Sequence, residues 1–96
     1  GAHYEGLDFS NANLTCIFWG GSGFDGAKMV GAKLVNINIG GSSWDNVDFT
    51  GADLRGSKIG TTFRGTKFDR ADLRGTGLTR DILQAQGLSF VDAIFD

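Results

Sequence analysis

Residues Ala52 to Phe68 read ADLRGSKIGTTFRGTKF, and the spacing of their large apolar side chains decides the fold. Leu54 and Ile59 are five residues apart. The step from Ile59 to Phe63 is four residues, and the step from there to Phe68 is five again. A helix stripe repeats every 3.6 residues and a strand face every two, so neither element explains a spacing of five. The stretch therefore predicts a backbone that brings one large side chain inward in every five residues.

The same spacing runs through most of the chain. Large apolar residues recur every five positions from Tyr4 to Ile59, and the count resumes at Phe63. Two positions before them, small or β-branched residues are predicted to face inward: Ala12, Ile17, Ser22, Ala27, Ala32, Ile37, Ser42, Val47, Ala52, Ser57, Thr61, Thr66, Ala71 and Thr76. Two positions after them, residues that accept a positive φ predict tight corners: Gly6, Asn11, Gly21, Gly26, Gly31, Asn36, Gly41, Asn46, Gly51, Gly56, Gly65 and Gly75.

A chain that turns a corner every five residues returns to the same side every twenty. At that period like residues fall on like, as in the column Leu14, Leu34, Leu54 and Leu73. Such columns are typical of a solenoid, in which each coil buries its faces against its neighbours. The four-residue step preserves the columns only if one corner residue is missing between Ile59 and Phe63. Phe63 is then expected over Trp44, and Phe68 over Phe49.

The repeated motif resembles the pentapeptide repeat family. It is written Ala12-Asn13-Leu14, Ala52-Asp53-Leu54-Arg55-Gly56 and Ala71-Asp72-Leu73-Arg74-Gly75. The resemblance covers residues 4–78 and implies an all-β fold, a right-handed quadrilateral parallel β-helix of about four to five coils. We expect residues 1–96 to form a single domain, in which residues 1–3 are a tag or linker remnant.

The repeat pattern ends after Leu78. Thr79 is placed to cap a short helix over residues 80–86, Asp81 lies in its first turn, and Gly87 is placed to end it. Residues 88–96 then resume the pairing of small and large side chains, which predicts a capping partial coil. Family resemblance makes such a tail either a solenoid cap or a dimer contact, and the candidate interface residues are Phe90, Ile94 and Phe95.

Composition and charge narrow the range of functions. The net charge of −2 and the pI near 5.1 provide no basic surface for nucleic acid or an anionic membrane. The chain has one cysteine, Cys16, and one histidine, His3, too few for a zinc site or a histidine-based triad. Six aspartates fall on predicted outward faces in water, where no pocket shifts a pKa: Asp8, Asp25, Asp45, Asp48, Asp53 and Asp72. We therefore expect no catalytic residues, no cofactor and no metal.

Two glycine-rich matches are weighed against the repeat. Residues 20–25 match the start of a calcium β-roll motif, and residues 21–26 read G-x-G-x-x-G, as in dinucleotide-binding loops. Calcium rolls need tandem nine-residue repeats, and a dinucleotide loop needs a strand before it and a helix after it. The five-residue count runs through both matches, so we interpret them as corners of the solenoid.

The function expected from these features is a non-catalytic structural or protein–protein interaction module that presents flat β faces on a rigid rod. Its expected partner is an unidentified protein, with a homodimer through one solenoid end as a further option. The alternative is a DNA-mimic, gyrase-binding protein, as the resemblance to quinolone-resistance members of the family implies. The resemblance fits both the cytoplasm and the thylakoid lumen and does not choose between them.

Overall fold

The computed structural model describes residues 5–15, 23–38 and 43–96. Its one α-helix in these ranges is α1, Arg80–Ala85, and its β-structure consists of isolated parallel bridges. The bridges join residues one coil apart, so the chain winds as a parallel β-solenoid. Among the described residues, no helix has the length and apolar character needed to cross a membrane.

The bridges fix the register of the coils. Early bridges join residues twenty apart: Asp8 with Lys28, Asn13 with Lys33, Gly23 with Ser43, Lys28 with Asp48, Lys33 with Asp53 and Asn38 with Lys58. Later bridges join residues nineteen apart, Asp48 with Lys67 and Asp53 with Asp72. The bridges to the last coil join residues twenty-two apart, Lys67 with Ser89 and Asp72 with Ile94. Asp8, Lys28, Asp48 and Lys67 therefore form one continuous outward column.

A repeated set of main-chain hydrogen bonds joins each coil to the next. The Lys28 N–H donates back to the Leu7 carbonyl at 2.8 Å, and the Phe9 N–H donates forward to the Lys28 carbonyl at 2.7 Å. At the following corner, the Asn11 N–H donates to the Val30 carbonyl at 2.8 Å. This arrangement satisfies backbone groups that would otherwise be buried without partners.

Positive φ angles mark the corners. All ten predicted corners that lie within the described residues have φ between 59° and 76°. The other two, Gly21 and Gly41, lie outside those residues. Arg70 (φ 55°) and Asp92 (φ 58°) occupy further corners that residue type did not indicate. Their place in the register requires the positive φ that their side chains disfavour.

The core consists of inward side chains stacked from coil to coil. Its fully buried members include Phe24, Met29, Leu34, Val47, Phe49, Leu54, Phe68 and Leu73. The Trp44 ring lies flat on Phe24, with ring centroids 4.3 Å apart, which is how the core accommodates an indole. The buried hydroxyls are satisfied, because Ser57 donates to the Leu54 carbonyl and Thr66 donates to the Trp44 carbonyl. The interior is filled with side chains, and among the described residues only the indole N–H of Trp44 is buried without a hydrogen-bond partner.

The predicted one-residue deletion is confirmed. Lys58 still bridges at twenty residues, whereas Lys67 bridges Asp48 at nineteen. Phe68 stacks on Phe49 with centroids 5.3 Å apart and rings inclined by 11°. The Asn46 N–H donates to the Arg64 carbonyl at 2.7 Å. This bond places Phe63, the residue before Arg64, in the expected register with Trp44.

One inward prediction fails at this corner. Thr61 was predicted to face inward and is exposed. Gly60, with φ +90°, redirects the shortened chain, so the position two before Phe63 no longer lies on the inner face.

Helix α1 interrupts the last coil. The Thr79 side chain accepts the Ile82 N–H, and Asp81 lies in the first turn, as predicted. The helix ends at Ala85, one residue before the predicted end, because Gln86 has left the helical conformation as the C-cap. Gly87 has φ 68°, and hydrogen bonds from Gly87 to Gln84 and from Leu88 to Leu83 complete a Schellman motif.

Candidate functional site

The C-terminal end of the solenoid carries the predicted interface residues. Residues 88–96 lie on the preceding coil through the bridges of Ser89 and Ile94. Phe90 and Phe95 are half-buried and meet edge to face, with centroids 5.8 Å apart. Each ring packs against the core and keeps part of its surface exposed.

The third predicted residue lies on a different surface. Ile94 is 45% exposed and continues the outward column of Asp53 and Asp72. Val91, at 65% exposed, is the most exposed large apolar residue described, and the sequence-based prediction omitted it. The exposure of Val91 could have been predicted from its place directly after an inward aromatic residue, because that position faces outward throughout the repeat.

Arg80, the first residue of α1, lies at the same end. Its guanidinium carbon is 4.7 Å from the centre of the Phe95 ring, a cation–π geometry. Two shallow depressions of about 350 and 390 Å³ flank it, one towards Phe95 and Asp96 and the other towards Phe90 and Val91. The end is thus an aromatic and aliphatic surface with one cation near its middle.

The outward columns on the sides carry mixed charge. Asp53 and Asp72 are neighbours in one column, and the Arg55 guanidinium lies 2.8 Å from the first and 3.9 Å from the second. Arg74 pairs with Asp72 in the same way. Hydrogen bonds from Arg55 and Arg74 are the main reason why the pKa of each carboxyl is lowered. Adjacent carboxylates are thereby neutralised within the column.

Aspartates also join neighbouring coils. An Asp25 oxygen accepts the Ser43 hydroxyl at 2.5 Å and the Asp45 N–H at 2.9 Å. Asp69 makes the same two contacts with Ser89 and Val91 in the last coil. Asp25, the acidic member of the calcium-like match, therefore has a structural role.

Within residues 5–15, 23–38 and 43–96, no three acidic, histidine or cysteine side chains are grouped so as to hold a metal ion. His3, Cys16 and the Gly20–Ser22 part of the glycine-rich matches lie outside these ranges.

The sequence matches the family model described as pentapeptide repeats over residues 5–41 and 32–60, with eight copies of the repeat. The chain belongs to the pentapeptide repeat family. The resemblance of the repeated motif to this family is thus confirmed, and with it the β-helical repeat class.

Solved structures of pentapeptide repeat proteins share this fold. HetL, involved in heterocyst differentiation regulation in the cyanobacterium Nostoc, is 22% identical with a TM-score of 0.52, and the match covers 96% of this chain and 38% of HetL. Rfr23 from the cyanobacterium Cyanothece is 12% identical with a TM-score of 0.48, covering 99% of this chain and 84% of Rfr23.

A third structure, QnrB1, is a plasmid-mediated fluoroquinolone resistance protein. It is 16% identical with a TM-score of 0.33, and the match covers 93% of this chain and 57% of QnrB1. A search of curated protein sequences returned no match.

Proposed function

We propose that this pentapeptide repeat protein is a non-catalytic structural or protein–protein interaction module. The observation that carries the proposal is the continuous filled core from Phe24 to Leu78, with titratable side chains outside it. A carboxyl that acts as a general acid near neutral pH needs a pocket that raises its pKa, whereas the pKa values of Asp8, Asp53, Asp69 and Asp72 are lowered by hydrogen bonds. A filled core and ionised surface carboxylates favour binding to a partner through the surface over catalysis.

The same proposal includes a four-sided rod of about four to five coils. Corners five residues apart and bridges twenty apart support four sides in each turn of the chain. The two shorter dimensions of the molecule, 22 and 21 Å, are nearly equal, as a square cross-section requires. Its sides would present flat faces to a partner.

The binding surface that we favour lies at the C-terminal end, where the half-buried rings of Phe90 and Phe95 are adjacent to the outward side chains of Val91 and Ile94. Exposed apolar groups beside a polar rim are typical of protein-binding surfaces. Either an unidentified protein or a second copy in a homodimer would cover these side chains.

Affinity capture from the source organism tests this function. We expect the wild-type protein to retain a partner that a Val91→Lys/Ile94→Lys variant loses. Val30→Lys is the matched control, because Val30 is an exposed valine (36%) in the same outward column as Val91 but away from the end. Equal capture by all three proteins would contradict the proposed surface.

The proposal does not extend to DNA mimicry of gyrase. A mimic needs a strongly acidic rod, whereas lysine alternates with aspartate along the column of Asp8, Lys28, Asp48 and Lys67. The longest dimension, 31 Å, matches only about nine base pairs. Gyrase supercoiling is therefore expected to be unchanged by the purified protein, and inhibition would favour the mimic instead.

A further inference from the structure

The last coil ends in a row of main-chain groups without partners. The N–H groups of Phe90, Asp92 and Phe95 and the carbonyls of Leu88 and Ala93 make no hydrogen bond with any described residue. They are the groups through which an earlier coil bonds to the next one. In that earlier coil the equivalent bonds involve Leu7, Phe9, Asn11, Ala12 and Leu14, at 2.7–2.9 Å.

Two other main-chain groups, at positions where an earlier coil bonds the next one, are already satisfied by side chains. The Phe63 N–H donates to the Gln86 side-chain oxygen at 2.7 Å, where other coils offer a backbone carbonyl. The Gly75 N–H donates to the Asp96 carboxylate at 3.0 and 3.1 Å. The molecule thus caps two positions and leaves the edge of residues 88–95 open, and an open edge is a template for another chain.

The described start of the solenoid presents the complementary groups. The N–H and carbonyl of Asp8, the carbonyl of Ser10, and the N–H and carbonyl of Asn13 also make no hydrogen bond with described residues. Their equivalents in the next coil, Lys28, Val30 and Lys33, use these same groups to bond the coil before. Each of the five groups at one end therefore has one counterpart at the other.

We propose that two copies of this chain stack head to tail, with residues 7–14 of one copy paired to residues 88–95 of the other. Asp8 would donate to Leu88 and accept from Phe90. Asn13 would donate to Ala93 and accept from Phe95, and the Asp92 N–H would donate to Ser10. The inference deepens the proposed function, on which it rests for the use of this end, by naming the partner as a second copy.

The side chains support the same register. Stacking continues the inward columns, since it places Phe9 over Phe90, Ala12 over Ala93 and Leu14 over Phe95. Leu7, which is 48% exposed, would be covered by Leu88. Among the outward positions, Asp8 meets Ser89 and Asn13 meets Ile94, so no like charges are opposed. The interface between the two copies is limited to the two sides formed by residues 7–14 and 88–95. The chain between Leu78 and Leu88 forms α1 and offers no β edge for pairing.

Such an interface is heterologous: it uses two different surfaces and leaves one of each exposed at the ends of the assembly. Further copies can therefore be added, and the assembly is open. Analytical ultracentrifugation of the full chain should show an average mass that rises with concentration through dimers and longer rods. Wild-type protein that stays monomeric at every concentration would overturn the proposal, while leaving the partner capture of the proposed function unaffected.

Blocked ends distinguish this joint from a symmetric dimer. Leu7→Lys places a charge in the first surface and Phe90→Lys places one in the second, with Phe95→Lys as a replacement if circular dichroism shows that the Phe90 variant is unfolded. Each variant alone should be monomeric, and an equimolar mixture of the two should form dimers, because each retains the surface that the other lacks.

Val30→Lys is the control, since it adds the same charge to a side face and should associate like the wild type. Association of the Leu7→Lys variant alone, combined with a monomeric Phe90→Lys variant, would overturn the proposal in favour of a symmetric dimer through the C-terminal end. A monomeric mixture would overturn it as well.

Discussion

Corner residues set the steric fit between coils. Asn11, Asn36 and Asn46 each lie beneath a glycine of the next coil, Gly31, Gly56 and Gly65 respectively, and a Cβ at any of these glycines would overlap the asparagine oxygen below. Glycine is needed here for two reasons, the positive φ and the space taken by the asparagine. Gly51 has the same φ as its neighbours but open space around the Cβ position.

This difference gives a prediction with a matched control. Gly65→Ala should lower the free energy of unfolding more than Gly51→Ala, by about 1 to 3 kcal/mol, because only the first meets a side chain. Denaturant unfolding of both variants measures the difference. Adding Asn46→Gly to Gly65→Ala should recover most of it, and equal losses for the two alanine variants would contradict the steric explanation.

Acid should loosen the contacts between coils. The Ser89 hydroxyl is the main cause that lowers the pKa of Asp69 below its ordinary 3.8, with the Val91 N–H also contributing. A lowered carboxyl pKa stabilises the folded state above pH 3.8, and this stabilisation is lost as the pH falls through the lower folded value. Because Asp69 is only partly buried, we expect only a modest loss.

Thermal melts from neutral pH down to about pH 2 measure this effect. Asp69→Asn retains an acceptor oxygen without the charge, so its melting temperature should fall less steeply in acid than that of the wild type. Identical acid slopes for the two proteins would show that Asp69 does not contribute.

At the scale of elements, α1 completes the shortened corner through one side chain. The Gln86 amide accepts the Phe63 N–H at 2.7 Å and donates to the Thr61 carbonyl at 2.7 Å and the Ile82 carbonyl at 3.0 Å. It stands where the next coil would supply a peptide group. Leu83, fully buried, holds the helix against the core beside it.

Replacing the Gln86 amide should therefore lower the stability of the fold. Gln86→Ala leaves a part-buried N–H unpaired, and we expect a loss of about 1 to 3 kcal/mol in the free energy of unfolding. Gln84→Ala, an exposed glutamine of the same helix, is the control and should change stability by less than about 0.5 kcal/mol. Urea unfolding compares the two, and similar losses would contradict the role given to Gln86.

The sequence predicted the elements that obey the repeat and missed those that depend on long-range contacts. Period and residue type were enough for the glycine and asparagine corners, the columns, the deletion near Gly60 and the Thr79 cap, but not for the corners at Arg70 and Asp92. Thr61 and the Gln86 contact could not be predicted, because they follow from how a shortened corner meets a helix over twenty residues later. Val91 was predictable from the repeat, because it directly follows the inward Phe90 and this position faces outward.

At the scale of the whole molecule, the register between coils is the central feature. The chain is a solenoid with a register of twenty residues that shortens once to nineteen, so that like residues remain stacked on both sides of the shortened corner. Everything proposed about function depends on it, since this register fills the described core with side chains and defines the main-chain groups at the two ends.

Hydrogen-bond scalar couplings in a long-range HNCO experiment test that claim most directly. We predict a coupling from the Met29 N–H to the Asp48 carbonyl, nineteen residues on, and one from the Phe49 N–H to the Lys67 carbonyl, eighteen residues on, since both N–O distances are 2.8 Å. A coupling from Phe49 to the Phe68 carbonyl instead would mean that the register had not shortened, and it would contradict the account.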